Sequence, residues 1–136
     1  MKLGAIVLDS DNIEALSDFY AMLLGWNKSS QNHDGEKWIT VSKADYTETP
    51  LVFQENLDYQ KPTWPSTKTE QQQMVHLDFY VKEDEFDAKV KYAIKCGAKM
   101  ANSQLSRDWT VMTDISGHPF CIIPIPNEVY EQRYGS

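Results

Sequence analysis

The chain has 136 residues, of which 41% are hydrophobic, 12% aromatic and 24% charged, the make-up of one globular domain of ordinary size. Folding at this length hides roughly two-thirds of the surface that the unfolded chain exposes, so a core forms without disulfides or a structural metal. The formal charge of −7 and the lack of any basic cluster exclude binding to nucleic-acid backbones, which depends on neutralising phosphates with Lys and Arg.

Lys2 to Leu8 is a short apolar run that predicts a strand, and Ser10, Asp11 and Asn12 then supply helix N-cap chemistry. Ile13, Leu16, Tyr20 and Leu23 recur at helical spacing and predict a helix stopped by Gly25. Strands are predicted over 26–31 and 36–43, flanking Asn32-His33-Asp34-Gly35, where Asp-Gly favours a tight hairpin. A fourth strand covers 51–55. Residues 56–73 are polar, carry Pro62 and Pro65 and lack periodicity, so they predict a long connection at the midpoint. The pattern then repeats: a strand over 74–82, a helix over 83–96 with Phe86, Val90, Ala93 and Ile94 on one face, Gly97 as its stop, and strands over 98–102, 109–113 and 119–123. A tail, 127–134, is expected to pack on a partner. The two halves correspond at an offset of 71 residues, which sets Ala5 on His76, Ile6 on Leu77, Leu8 on Phe79 and Trp38 on Trp109. Such an internal repeat implies two copies of one supersecondary unit.

Side chains of a strand alternate between faces, so the 74–82 strand divides into two sets. Leu77, Phe79 and Val81 form an apolar face for the helices, whereas His76, Asp78 and Tyr80 form a polar one, which on a central strand predicts a cavity. The plainer reading is a solvated sheet face with a His–Asp hydrogen bond. Cys121 and Ile123 point to the same side as the polar set, and in the first half only Ala5 and Val7 do. His118 and His33 read as turn residues, Trp26 and Trp38 as core closers. Cys121 and His76 could form a thiol–base pair, although a strand cysteine is more commonly a small buried hydrophobe. Glycine-rich dinucleotide and nucleotide loops, HExxH, GxSxG and EF-hand loops are absent from the sequence. Cys96 and Cys121 lie outside any CxxC and fit reduced thiols. No apolar run approaches the roughly eighteen residues of a membrane span, and the N-terminal segment turns acidic early, so a cytoplasmic protein with no membrane partner is expected.

Asn12 to Tyr20 followed by Leu24-Gly25-Trp26, Trp64-Pro65, Met74 to Phe79, Cys96-Gly97-Ala98, and Trp109 through Asp114-Ile115-Ser116-Gly117-His118-Pro119-Phe120-Cys121 together resemble the vicinal oxygen chelate superfamily. The resemblance covers nearly the whole chain and is strongest to the glyoxalase-like subgroup of this glyoxalase, bleomycin-resistance and dioxygenase superfamily. It implies an α+β fold of two βαβββ modules forming a cupped, mostly antiparallel sheet with helices on the outer face. The single domain 1–136 would comprise module 1 (1–55), a linker (56–73), module 2 (74–126) and a C-terminal tail (127–136). The family's metal-ligand positions fall on Ala5, on Val52 or Gln54, on His76 and on Cys121. Ala5 cannot ligate, and Cys121 stands where a carboxylate is usual, so an octahedral nickel, iron or manganese site is poorly served, although zinc accepts His and Cys.

The resulting expectation is a small molecule, aromatic or cationic, held without a full metal site or other cofactor in a cup lined by His76, Asp78, Tyr80, Trp109, Cys121 and Gln54. Trp109 would stack on it, Asp78 would pair with a cation or orient His76, and Arg107 would close the mouth. The alternative is a divalent-metal-dependent lyase, isomerase or dioxygenase in which His76 and Gln54 hold Zn, Ni, Mn or Fe and Cys121 or water completes the shell. A homodimer is implied by the resemblance, and a further alternative is a vestigial cup in a protein that acts through its dimer partner.

Overall fold

The computed structural model describes residues 1–135, which form two compact units, the first spanning 1–60 and the second running from Lys61 onward. The first unit contains β1 (Ile6–Ser10), α1 (Ile13–Leu24), β2 (Asn27–His33), β3 (Glu36–Ser42) and β4 (Leu51–Glu55). Its sheet has the order β1-β4-β3-β2, with β1 parallel to β4 and the other pairs antiparallel. The first strand therefore begins at Ile6 and not at Lys2, because its neighbour in the sheet, β4, pairs with residues 6–10.

Asn12 is the cap that starts α1, its side-chain oxygen accepting from the Ala15 N–H at 3.2 Å. Gly25 ends the helix at φ 68, a left-handed conformation that costs glycine little. Between these ends Ile13, Leu16, Phe19 and Tyr20 are buried, together with Ile39, Val41, Leu51 and Phe53 from the sheet beneath. The Tyr20 and Phe53 rings stack at 5.8 Å. On the outside, Glu14 bonds Lys28 at 2.7 Å and also Lys37, and Asp18 bonds Lys28 at 2.8 Å, so charged pairs tie α1 to β2 and β3. The hairpin turn shortens to Asp34-Gly35, both at positive φ, and the ladder extends two residues past the predicted strand end, to His33.

The second unit contains β5 (Leu77–Lys82), a 3-10 turn (Glu83–Glu85), α2 (Phe86–Cys96), β6 (Lys99–Met100), β7 (Thr110–Thr113), β8 (Pro119–Ile125) and α3 (Asn127–Tyr134). Its order, β5-β8-β7-β6, repeats that of the first sheet, again with one parallel pair, β5 with β8. Both sheets are open, so each is mixed, mostly antiparallel and bordered by two edge strands. Several expectations change here. The parallel register with β8 begins at Leu77 opposite Phe120, so Met74, Val75 and His76 precede β5 instead of opening it. β5 is an edge strand, and the interior strands are β8 and β7. The predicted strand over 98–102 shrinks to Lys99–Met100, paired with Thr113 and Met112 of β7, and past it only the Ala101 N–H, donating to Val111 O at 3.0 Å, reaches that strand among the described backbone bonds.

The 56–73 connection has structure of its own. Thr63 and Gln72 form a bridge, the Thr63 N–H donates to Gln71 O at 2.8 Å, and the Trp64 indole N–H donates to Ser103 O at 3.1 Å. The tail forms α3, which lies on β5 of the same chain: Lys82 Nζ bonds Glu131 at 3.1 Å and sits 5.8 Å from the Tyr130 ring centre. No helix among the described residues is long and apolar enough to cross a membrane.

Candidate functional site

The second sheet carries Leu77, Phe79, Phe120, Ile122 and Met112 on the side of α2, and His76, Asp78, Tyr80, Cys121 and Val111 on the other. On this open side Asp78 and Cys121 are direct register partners across the parallel β5–β8 pair, and His76 stands two residues before Asp78 on the same face. Three chemistry-bearing side chains therefore converge. His76 Nε2 lies 3.2 Å from Asp78 Oδ1, and one ligand atom from each of His76, Asp78 and Cys121 falls within 4.8 Å of the others. Cys121 is buried, while the His76 and Asp78 side chains are 40% and 39% exposed.

The thiol is held firmly in its protonated form. Burial, joined by the Asp78 charge and a hydrogen bond to that carboxylate, pushes Cys121 up to about 11 from its usual 9.0. A thiol so placed is a poor nucleophile at neutral pH, since the thiolate is the reacting species. The Cys121–His76 nucleophilic pair is thus disfavoured: the thiol's partner is the carboxylate. Asp78 takes part in both short contacts, with the imidazole on one side and the thiol on the other.

Of the other residues singled out in the sequence, Tyr80 follows Asp78 on the same face of β5 and is 41% exposed. Trp109 and Arg107 lie just ahead of β7 and outside its ladder, the indole half-buried and the guanidinium exposed. Gln54 belongs to the first unit, where it sits on β4 between Asp9 of β1 and Trp38 of β3. The near partner of His76 is Asp78, two residues further along the chain on β5.

Two supporting groups escaped sequence reasoning. The Gln104 side chain accepts from the Val111 N–H and donates to Val111 O, both at 2.8 Å, and donates to Ala101 O at 2.9 Å. It thereby holds the stretch before β7 and positions Val111, the β7 neighbour of Cys121. Asp114 is buried and accepts from the backbone N–H groups of Ser116 (2.9 Å) and His118 (3.0 Å), with its carboxylate 2.9 Å from His118 Nδ1. It folds the β7–β8 turn, in which Gly117 is at φ 88 and the Lys61 side chain fills the space a Cβ would occupy. Asp114 two residues ahead of Ser116-Gly117 is the signal that points to such an Asx-type turn.

These features together place the chain. It belongs to the glyoxalase-like domain family, which it matches over residues 5–123, and so to the glyoxalase, bleomycin resistance and dioxygenase (vicinal oxygen chelate) superfamily. Solved structures share the fold at low identity. A glyoxalase/dioxygenase from Nostoc punctiforme is 19% identical with a TM-score of 0.65, covering 93% of this chain and 92% of that one. The fosfomycin resistance protein FosX from Listeria monocytogenes, a mutant complexed with Mn(II) and 1S,2S-dihydroxypropylphosphonic acid, is 17% identical with a TM-score of 0.66, covering 98% and 97%. A glyoxalase/bleomycin resistance protein/dioxygenase family enzyme from Burkholderia phytofirmans is 16% identical, with a TM-score of 0.65 and coverage of 92% and 99%. No curated protein is a significant sequence match.

A divalent ion of the kind FosX holds can be tested against the donors present. Mn(II) favours oxygen-rich octahedral sites, and a His, Asp and Cys set with sulfur among its donors does not match that preference. The same set matches the N, O and S ligands of tetrahedral zinc.

Proposed function

We propose that this chain binds a small molecule on the open face of its second sheet, centred on Asp78 with His76, Tyr80 and Cys121 beside it and Trp109 and Arg107 bordering it. The observation that supports this most is the Asp78 carboxylate, part exposed, 3.2 Å from an imidazole and backed by a buried neutral thiol. A carboxylate flanked by aromatic side chains suits a ligand that is cationic and aromatic, through ion pairing and cation–π contact. The reading extends to a homodimer in the cytoplasm whose two units serve as one functional domain. It is tested by titrating chelator-treated protein with a panel of aromatic amines and their uncharged isosteres while following tryptophan fluorescence. Saturable quenching by the amines, weakened about tenfold in Asp78→Asn, is expected. Equal binding of the isosteres, or no loss in the variant, refutes the cationic assignment.

A second reading, a divalent-metal-dependent enzyme, is favoured by one observation: three potential ligand atoms lie within 4.8 Å of one another. When bound, such an ion would polarise a substrate oxygen. His76, Asp78 and Cys121 would hold it, in place of the His76 and Gln54 pair expected from the sequence.

A further inference from the structure

We propose that the open face of the first sheet binds a neutral polyhydroxylated ring, a pyranose sugar, on a row of four side chains, Gln31, Trp38, Gln54 and Asp9, that crosses all four strands. The site belongs to the first unit alone and is additional to the cationic ligand proposed for the second sheet.

Strand register builds the row. Gln31 of β2 is the partner of Trp38 on β3, Trp38 is also the partner of Gln54 on β4, and Gln54 is the partner of Asp9 on β1. Paired residues share a face, and this one is turned away from α1, because the adjoining pair Ile39 and Phe53 is fully buried on the other. Trp38, expected from the sequence to close the core, instead places a half-buried indole on the open side. With about 4.8 Å between neighbouring strands the row is about 14 Å long, and its side chains recur at an interval comparable to the width of one pyranose ring.

The ends of the row are held in place and its centre is open. Asn56 Nδ2 donates to Asp9 Oδ2, while Gln31 Nε2 donates to Ser29 Oγ and Gln31 Oε1 accepts from Thr40 Oγ1, each at 3.1 Å. Between these fixed groups the Gln54 amide and the Trp38 indole N–H have no hydrogen-bond partner among the described residues, although both residues are half-buried. Sugar hydroxyls both donate and accept, which suits amides and a carboxylate set side by side. The negative face of the indole takes the C–H side of the ring, and the flanking polar groups take its hydroxyls. Anionic rings are opposed: Asp9 is in the row, and Lys28 and Lys37 of the same strands point to the α1 side, where they pair with Glu14. The second unit is an internal control. Trp109 corresponds to Trp38 at the 71-residue offset, yet the pair at the place of Asp9 and Gln54 is Tyr80 and Ile123, so the common topology does not call for polar groups there.

The test uses the full chain, isotope-labelled on nitrogen, and follows the indole N–H resonances by NMR as cellobiose, maltose or lactose is added, Trp38 being assigned by the signal that Trp38→Phe loses. A saturable shift of the Trp38 signal by at least one of these sugars is expected, with a dissociation constant of about 1 mM. Gln54→Leu, similar in volume, should weaken that binding about tenfold with an unchanged circular dichroism spectrum. Asp9→Asn, which keeps the side chain's shape, should weaken it by a smaller factor and serves as the test where Gln54→Leu disturbs the fold. Glucuronate should bind more weakly than glucose, and Asp78→Asn should leave sugar binding unchanged. No shift of the Trp38 signal with any of the three disaccharides, full binding in both row variants, or loss of binding in Asp78→Asn overturns the site. Tighter binding of adenosine than of every sugar overturns it too, by assigning the row to flat nucleobases. Amine quenching reads Asp78 and the indole shift reads Trp38, so either proposal fails without the other.

Discussion

The two units share a strand order yet differ in how their helices are anchored and in what their open faces carry. α1 buries Ile13, Leu16, Phe19 and Tyr20, whereas α2 buries only Ala93 and leaves Ile94 47% exposed. The open face reverses the contrast: Ala5, Val7 and Val52 in the first unit stand where His76, Asp78 and Cys121 stand in the second. One copy of the repeat thus carries the more deeply buried helix and the other the polar open face at these three positions. A duplicated scaffold permits this division, because the backbone of each copy needs only the inward-facing side chains to hold its sheet.

The largest test of that contrast compares matched aromatic truncations. Phe19→Ala should cost about 3–5 kcal/mol in urea unfolding, the cost of removing a fully buried ring, and Phe86→Ala in half-buried surroundings less than half as much. Equal losses would dissolve the difference between the two helices. Next, Asp114→Ala should cost about 2–3 kcal/mol, because it strips acceptors from two backbone N–H groups and a ring nitrogen inside the second unit. An unchanged unfolding midpoint would mean that the β7–β8 turn forms without its carboxylate.

The Cys121 thiol gives a smaller, sharper readout. In a Cys96→Ser background, Asp78→Asn should lower its titration midpoint from about 11 part of the way toward 9.0, because burial, the larger cause, remains. A thiolate absorbance titration measures this, and no change would separate the thiol from the carboxylate. The sign for stability follows from linkage. The folded chain keeps a proton that the unfolded chain begins to release near pH 9.0, so this contribution is lost as pH rises from there toward 11.

Glu14 supplies the smallest effect. Hydrogen bonds from Lys28 and then Lys37 lower it from 4.5 to about 2, so its stabilising contribution is present above pH 4.5 and fades as the pH falls toward 2. The group is open to solvent, and the effect is therefore modest and screened by salt. Melting scans at low ionic strength should show a shallow acid loss that Glu14→Gln removes; a loss of the same size in the variant would assign it to other groups.

Much of this was legible in the sequence for local reasons. Gly25 and Gly97 stop the helices because their backbones turn where side chains are disfavoured, and Asp34-Gly35 fixes a two-residue turn by the same physics. The alternation through His76, Asp78 and Tyr80 correctly singled out a polar face. Less legible were the limits of the strands flanking Lys99–Met100 and preceding Leu77, since a strand exists only as far as its partner does. Gln104 gave no signal, because its role is to bond Val111, seven residues further along the chain, in place of a neighbouring strand.

The sequence by itself thus determined the duplicated element order, the α+β class, the family and the presence of a polar strand face, all properties of periodicity, turn chemistry and local pattern. Tertiary structure alone decided that Cys121 meets Asp78 and that β5 lies at an edge. Those outcomes depend on the parallel register between β5 and β8, strands some forty residues apart, and register is set by the packing of whole strands and helices.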